Sequence, residues 1–489
     1  MSNAPKHARV YRWWTLAVLS ISSLMVVLDA TVINIALPRA QLSLGFSIAN
    51  RQWVITAYAL AFGSLLLLGG RLSDLWGRRN ALYIGLTGFA VASAVGGAAQ
   101  SFSMLVTARA VQGAFGAILA PAALATLTTT FQDPKERAKA FSIYGAISAS
   151  GAAIGLLLGG ALTQWASWRW CLFINLFFAA VALIGVLIFV IPGKSEHRTK
   201  LDVLGTVLGS GGLFFVVYGL SHAVSTSWSD DVTWGSLVIG AVLLLMFVGW
   251  QRRSKFPLLP LRIVLNRTRG GSLIALFITS IGIFGISLFL AYYLQTTLGY
   301  SPLRTGVAFL PLVGAIAFSA TTSARLLAKV GPRPLVPAGM ILGMLGTVLF
   351  TRLTPHADYV GHVLPGLVVT GLGLGLIFAP ATASATAAIK PSDAGAASAM
   401  VSTTQQIGGS VGTSLLNTIA VTATMRAFHQ APKPTSKSEA ILEKTQSLIH
   451  GYSMAFWWCA IFFGLGAIAT FILLESGVPE LEPELVALT

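Results

Sequence analysis

Long apolar runs, each closed off by charged or turn-forming residues, recur along the whole chain. Fourteen of them read as helices, at 13–35, 52–70, 81–99, 103–128, 139–163, 171–191, 203–222, 232–250, 271–294, 304–327, 334–352, 361–388, 396–423 and 454–474. A bilayer crossing takes roughly 20 apolar residues, so each run is expected to span a membrane. The first run is too long for a cleaved leader and no small-x-small cleavage site follows it. The fold class predicted is an all-α membrane protein.

Composition strengthens that reading. Of 489 residues, 55% are apolar and only 10% charged, with a mean hydropathy of +0.77. An average globular domain carries about 25% charged residues, so a soluble surface of this size could not be covered. The net charge of +16 would suggest nucleic acid in a soluble protein, but the basic residues sit in short gaps and form no continuous face. Their distribution fits orientation in a bilayer instead. With the N-terminus placed in the cytoplasm, 22 Lys and Arg fall in inside loops and tails and 9 outside, and Arg109 lies within a helix. Both termini are therefore expected to be cytoplasmic.

The chain repeats itself. Gly70 to Arg79, between helices 2 and 3, returns at an offset of 254 as Ala324 to Arg333, where Arg71/Arg325, Leu72/Leu326, Gly77/Gly331 and Arg79/Arg333 coincide. A weaker echo pairs Ile154-Gly155 and Gly159 with Ile407-Gly408 and Gly412. This predicts a six-helix bundle over 1–200, two inserted transmembrane helices over 201–252, and a second six-helix bundle over 253–489. Parallel repeats around a central site are a common construction of secondary transporters, although channels also contain repeats.

Acidic residues are informative because they are scarce. Of the 16, only Asp29 stands well inside an apolar run. An intramembrane carboxylate is costly unless it faces a cavity, is paired or is protonated, and a group that changes charge with proton access suits a proton-coupled carrier. The bland alternative is a carboxylate that only bonds a neighbouring helix. Arg109 is the matching cation. Counted from the predicted outer ends of helices 1 and 4, both lie roughly 10 Å deep at 1.5 Å per residue. They could meet directly, or through water or Gln112. A static pair bracing two helices is the alternative.

The loop 70–79 holds Gly70, Asp74, Gly77, Arg78 and Arg79. No GxxxxGK[ST] occurs in the chain, so it is not a nucleotide loop. A conformational latch fits better, with the arginines binding lipid headgroups or locking two helices. Helix 5 presents Gly151, Gly155 and Gly159 on one stripe, with Gly160 adjacent, a surface for close helix approach that could shape the seam between halves or serve static packing. Gly371, Gly373 and Gly375 lie in an apolar helix without a βαβ context, which argues against a dinucleotide site. Cys171 and Cys459 lie apart in apolar segments and the histidines are scattered, so no disulfide, metal or cofactor is expected.

These stretches resemble the major facilitator superfamily, specifically its fourteen-helix drug:proton antiporters, over nearly the whole length. Leu28 to Pro38 is similar to the first-helix motif of that group, Gly70 to Arg79 to its loop 2–3 signature, and Leu105 to Gly113 to its fourth-helix motif. Trp168 to Asn175 and Leu201 to Gly205 are also similar to family patterns. The resemblance implies the major facilitator fold, proton coupling at Asp29, a proton relay at Arg109, and an interdomain latch at Asp74 and Arg78. Helix 5 resembles the antiporter motif, but Leu156 follows Gly155 where that motif usually has Pro, and Phe177 likewise replaces a frequent Pro.

The expected function is a proton-driven antiporter exporting lipophilic, cationic or neutral drugs across the cytoplasmic membrane, with the proton gradient in place of a cofactor. Expected partners are small-molecule drugs, protons and membrane lipids, not nucleic acid, with the chain a monomer. A cavity between the bundles would be lined by Asn34, Tyr58, Gln112, Tyr292, Tyr293, Phe309, Gln405 and Gln406, since aromatic rings suit flat apolar or cationic ligands. Each of these could instead be a packing or interfacial residue. The alternatives are an exporter dedicated to one antibiotic or metabolite, an uptake symporter, or a non-transporting sensor or channel. No nucleophile–base or metal constellation supports an enzyme.

Overall fold

The computed structural model describes residues 6–46, 51–131, 133–191, 201–225, 228–254, 257–387, 389, 393–431 and 436–477. Fourteen long helices lie among them. The first eight are α1 (Lys6–Leu44), α2 (Arg51–Trp76), α3 (Arg78–Gly97), α4 (Phe102–Thr130), α5 (Pro134–Trp165), α6 (Trp170–Phe189), α7 (Val203–Ser225) and α8 (Asp231–Gln251). The remaining six are α9 (Arg267–Tyr292), α10 (Leu310–Val330), α11 (Pro332–Phe350), α12 (Leu364–Ala385), α13 (Ala394–Gln430) and α14 (Lys437–Leu473). Short helices at Leu261–Leu265 and Pro302–Ala308, and π-helical turns at Tyr293–Thr297 and Tyr359–Val363, join them. No strand occurs among the described residues.

Among the described residues, twelve of the fourteen helices are long and apolar enough to cross a bilayer by length and composition. The exceptions, α5 and α13, are rich in Gly, Ala, Ser and Thr. Both are central: α5 packs on α1, α10 and α12, and α13 on α2, α4, α7, α9 and α14. Small side chains lower their hydropathy and at the same time let neighbouring backbones come close.

Equivalent neighbours recur along the chain. The pairs α1–α5, α1–α6, α2–α4 and α3–α4 have counterparts in α9–α13, α9–α14, α10–α12 and α11–α12. The repeat extends to single residues. Gly77 and Gly331 both take positive φ, 82° and 75°, at the junctions α2–α3 and α10–α11. Arg79 donates to the Leu187 carbonyl in α6, and Arg333 donates to Ser476 just past α14. The two sets of six meet through α2 against α13 and α5 against α10, and the α7–α8 hairpin lies on α2 and α13 through α7.

Several helix ends differ from expectation. α1 runs on to Leu44 past Pro38 and Arg39, whose guanidinium is held by the Thr163 carbonyl of α5. The outer segment 424–453, in which the sequence suggests helix only over Ser438–His450, is helical over most of its described residues, because α13 continues to Gln430 and α14 begins at Lys437. Ser436 caps α14 by accepting from Glu439 N at 3.2 Å. These extensions carry charged and polar residues such as Arg39, Arg426, Glu439 and Lys444, so apolar character ends before the helix does. The predicted helix 304–327 is broken at Phe309, since Pro311 has no N–H to continue the ladder.

Candidate functional site

Five helices bring polar side chains to one buried point. Asp29 of α1 and Arg109 of α4 are each 1% exposed and pair at 2.5 Å between Oδ2 and Nη1. Gln112, one turn along α4, accepts from Arg109 Nη1 at 2.6 Å and donates from Nε2 to Asp29 Oδ1 at 2.8 Å. Asn175 of α6 donates from Nδ2 to the same Oδ1 at 2.7 Å. Ser93 of α3 accepts from Gln112 at 3.2 Å and from Asn175 at 2.9 Å, and donates to the Leu172 carbonyl at 2.8 Å. Tyr58 of α2 places its ring 4.4 Å beneath the Arg109 guanidinium, a cation–π contact.

Close helix contacts make this convergence possible. Any side chain at Gly113 would collide with the Tyr58 carbonyl, and any at Gly155 with Thr31 and the Leu28 carbonyl beside Asp29. The carboxylate therefore accepts three donors, one of them charged, away from lipid. Charge-assisted bonds are about twice as strong as neutral ones, and removing one member of a buried pair typically costs about 3–5 kcal/mol. A change of charge on Asp29 would unbalance Arg109, Gln112 and Asn175 together.

Asp29 and Arg109, predicted from their depth to lie within reach of each other, do touch. The outer end assumed for helix 1 was wrong, however, because α1 extends past it. Ser93 and Asn175 were not singled out. Asn175 closes the quoted Trp168–Asn175 stretch, a faint signal, whereas Ser93 looks like any small helix residue.

The residues expected to line a cavity do not gather in one place. Tyr58 and Gln112 belong to the ion-pair network. The Asn34 side chain lies outside the described residues. Gln405 and Gln406 are half-buried on α13, and Gln406 sits against Gly63 of α2 at the seam. Phe309 is buried at the break before α10, and Tyr292 is largely exposed. Tyr293 is 0% exposed and donates to the Thr354 carbonyl at 2.8 Å, so it packs within the second set of helices rather than facing a cavity. A separate open cleft of about 570 Å³ runs between α3 and α4 on the outer face, bounded by Gly88, Val91, Val95, Thr107, Val111 and Phe115.

At the α2–α3 end the two sets of helices are tied together. Asp74 Oδ1 accepts from the Gly395 N–H at the start of α13 at 3.1 Å. Gly70 lies so close to Gly395 and Ala399 that a side chain there would not fit. Arg137 at the start of α5 donates to the carbonyl of Thr386 just past α12 and to its hydroxyl. Arg262 pairs with Asp393 at 2.5 Å, anchoring the short helix 261–265 to the head of α13. Gly77 provides the left-handed turn into α3. Arg78 stands beside Asp74, while Arg79 bonds α6 and so stays within the first six helices.

The glycine stripe of α5 has a different partner from the seam considered in sequence. Gly151, Gly155 and Gly159 press on Val27, Thr31 and Val32 of α1, and only Gly160 faces across, toward Leu303. In the repeat, Gly408 and Gly412 press in the same way on Phe277 and Ile281 of α9. The stripe is a packing surface within each set of six.

The model of the Major Facilitator Superfamily matches residues 19–413. The chain belongs to this superfamily. The puromycin resistance protein pur8 of Streptomyces alboniger is 46% identical to it over 468 residues, 95% of this chain and 92% of that one. The cephamycin export protein CmcT of Amycolatopsis lactamdurans is 36% identical over 405 residues, 81% and 82% of the two chains. The tetracenomycin C resistance and export protein of Streptomyces glaucescens is 32% identical over 409 residues, 83% and 76%. Among solved structures, the proton:xylose symporter XylE superposes with a TM-score of 0.65 at 16% identity, covering 98% of this chain and 99% of that one. The human organic anion transporter MFSD10 gives the same score at 17% identity, covering 96% and 100%. The major facilitator protein described here is thus a multi-pass membrane transporter and not an enzyme, and its similar relatives are antibiotic resistance and export proteins.

Proposed function

We propose that this transporter is a proton-coupled antiporter that exports lipophilic, cationic or neutral, toxic compounds across the cytoplasmic membrane, with both termini inside. The buried Asp29–Arg109 pair carries the reading. It is an acid and its counter-ion held inside the first six helices, and such groups commonly serve proton pathways. While ionised, Asp29 neutralises Arg109. When it takes a proton from the side of higher proton activity, Arg109 is left with an uncompensated charge, which favours rearrangement of α1, α4 and α6. Return of the proton on the other side restores the pair. Asp74 with Gly395, and Arg137 with Thr386, then act as the latch that closes one end between turns of the cycle.

Export is favoured by the similar relatives described above, all three of which are named for resistance or export. The 46% identity to a puromycin resistance protein favours a second reading in particular, an exporter dedicated to one aromatic amino nucleoside or a near analogue. Everted membrane vesicles separate the readings. With an acid interior, wild-type vesicles accumulate both puromycin and ethidium, an uncoupler abolishes the uptake, and Asp29→Asn abolishes it too. Uptake of puromycin alone selects the dedicated exporter. Undiminished gradient-driven uptake by Asp29→Asn would overturn the coupling role.

A further inference from the structure

Two buried oxygens of the network lack a hydrogen-bond partner, Tyr58 Oη and Asn175 Oδ1, and only the second belongs to a side chain that itself bonds Asp29. Asp29 Oδ1 accepts two amide donors and Oδ2 accepts the guanidinium. Ser93 accepts twice and donates once. Both acceptor and donor groups of Gln112 are engaged. Asn175 spends its amide nitrogen on Asp29 and Ser93, yet its Oδ1 is buried without a hydrogen-bond partner, in a residue that is 0% exposed. An unmade acceptor at such depth is expensive in a folded protein. Here it sits on the residue that touches the ionisable carboxylate.

We infer that Asn175 is an amide switch that reads the protonation state of Asp29. The inference rests on the proton-coupling reading given above. When a proton arrives from water and Asp29 becomes a neutral acid, its new O–H is a donor facing two amide N–H donors. One amide must turn so that its oxygen accepts. Gln112 cannot do so cheaply, because its Oε1 is held by Arg109 and a turn would set N–H against guanidinium. Turning Asn175 breaks the two bonds its Nδ2 donates, to Asp29 and Ser93, but none at Oδ1, so two bonds accepted by Oδ1 from the same partners replace them, and its amide torsion is broad and nearly two-fold. After the turn, Oδ1 accepts from the Asp29 O–H. The Ser93 hydroxyl then swings from the Leu172 carbonyl to the same oxygen, releasing a carbonyl in the first turn of α6. No bond other than the O–H of Asp29 forms, and the same proton leaves when the amide returns. The other ionisable groups facing Asp29 are Arg109 of α4, Tyr58 of α2 and Cys171 of α6, and of these only Arg109 is hydrogen-bonded to it.

Asn175 is thus a positioning residue, linking charge at α1 to backbone hydrogen bonding at α6. Infrared difference spectra of the full chain in liposomes, recorded between alkaline and acidic buffer, test this. In wild type a carboxylic acid carbonyl band appears on acidification and a side-chain amide carbonyl band shifts with it. Asn175→Leu and Asn175→Ser both lose the amide shift and keep the acid band. In everted vesicles they slow ethidium uptake by about tenfold, the loss expected for one buried hydrogen bond. An acid band without an amide shift in wild type, or an amide shift that persists in both variants, overturns the switch while leaving proton coupling intact. An acid band that survives Asp29→Asn overturns the coupling reading itself, and the switch with it.

Discussion

Asp29 and Arg109 show how a residue's setting, more than its type, carries the argument. A carboxylate in an apolar run has few options, so its need for a partner was legible without coordinates. The partner's identity was legible as well, because Arg109 is the matching charge at similar depth. The neutral members were not. Ser93 and Asn175 have no charge to betray them, and small polar side chains are ordinary in helices. Tyrosines were ambiguous for the opposite reason: Tyr58 lies under a guanidinium and Tyr293 fills a core, yet both look alike in sequence. Arg109→Leu leaves Asp29 buried without its cation, so it should destabilise the purified transporter by about 3–5 kcal/mol, seen as a lowered melting temperature. Arg109→Lys offers a single ammonium in place of a fork. It should restore most of that stability but little transport, since an ammonium gives up the Nε bond to the Val54 carbonyl and the flat guanidinium face over Tyr58 that fix the position of the charge.

Among helices, periodicity located every long element but misjudged the ends. Hydropathy reports where apolar character stops, whereas α1, α13 and α14 continue as helix beyond that point. Glycine spacing announced a close approach without naming the partner, which proved to be α1. Gly155→Leu should force α1 away from α5 and cost about 1–3 kcal/mol by overpacking, and Gly412→Leu should do the same between α9 and α13. Melting temperatures of the two variants check this, and equal losses would reflect the repeat. The α7–α8 hairpin is held at its base by Asp202, which accepts from Gly205 N, Trp250 Nε1 and Gln251 Nε2, each at 2.9 Å. Burial pushes the Asp202 carboxyl upward, but these hydrogen bonds and Ser254 outweigh it and hold it below the ordinary carboxylate range. Stability from Asp202 is therefore complete above its unfolded value, about 3.9, and is lost as pH falls through the lower folded value. Asp202→Asn should melt lower than wild type at neutral pH, and the gap should close in strong acid.

For the whole molecule, two sets of six helices joined at one end by Asp74–Gly395 and Arg137–Thr386 suggest an alternation in which that end opens and closes. The loop 70–79 was readable as a latch from its glycines and charges. The partner of Asp74 at Gly395 was not, because a backbone N–H has no sequence signature. Spin labels at Asn80 and Arg325, both exposed near the two junctions, should report a longer mean distance in Asp74→Ala than in wild type, as the latched state loses population. An unchanged distribution would mean that the contact is ornamental to the cycle.

Antiport by this route requires that cargo binding discharge the proton that Asp29 carries in the protonated state. Adding puromycin to the purified transporter in weakly buffered detergent, with a pH indicator, measures that discharge without a membrane or a gradient. The account predicts prompt acidification by wild type and none by Asp29→Asn, although the variant still binds puromycin. Equal proton release from both proteins would contradict it.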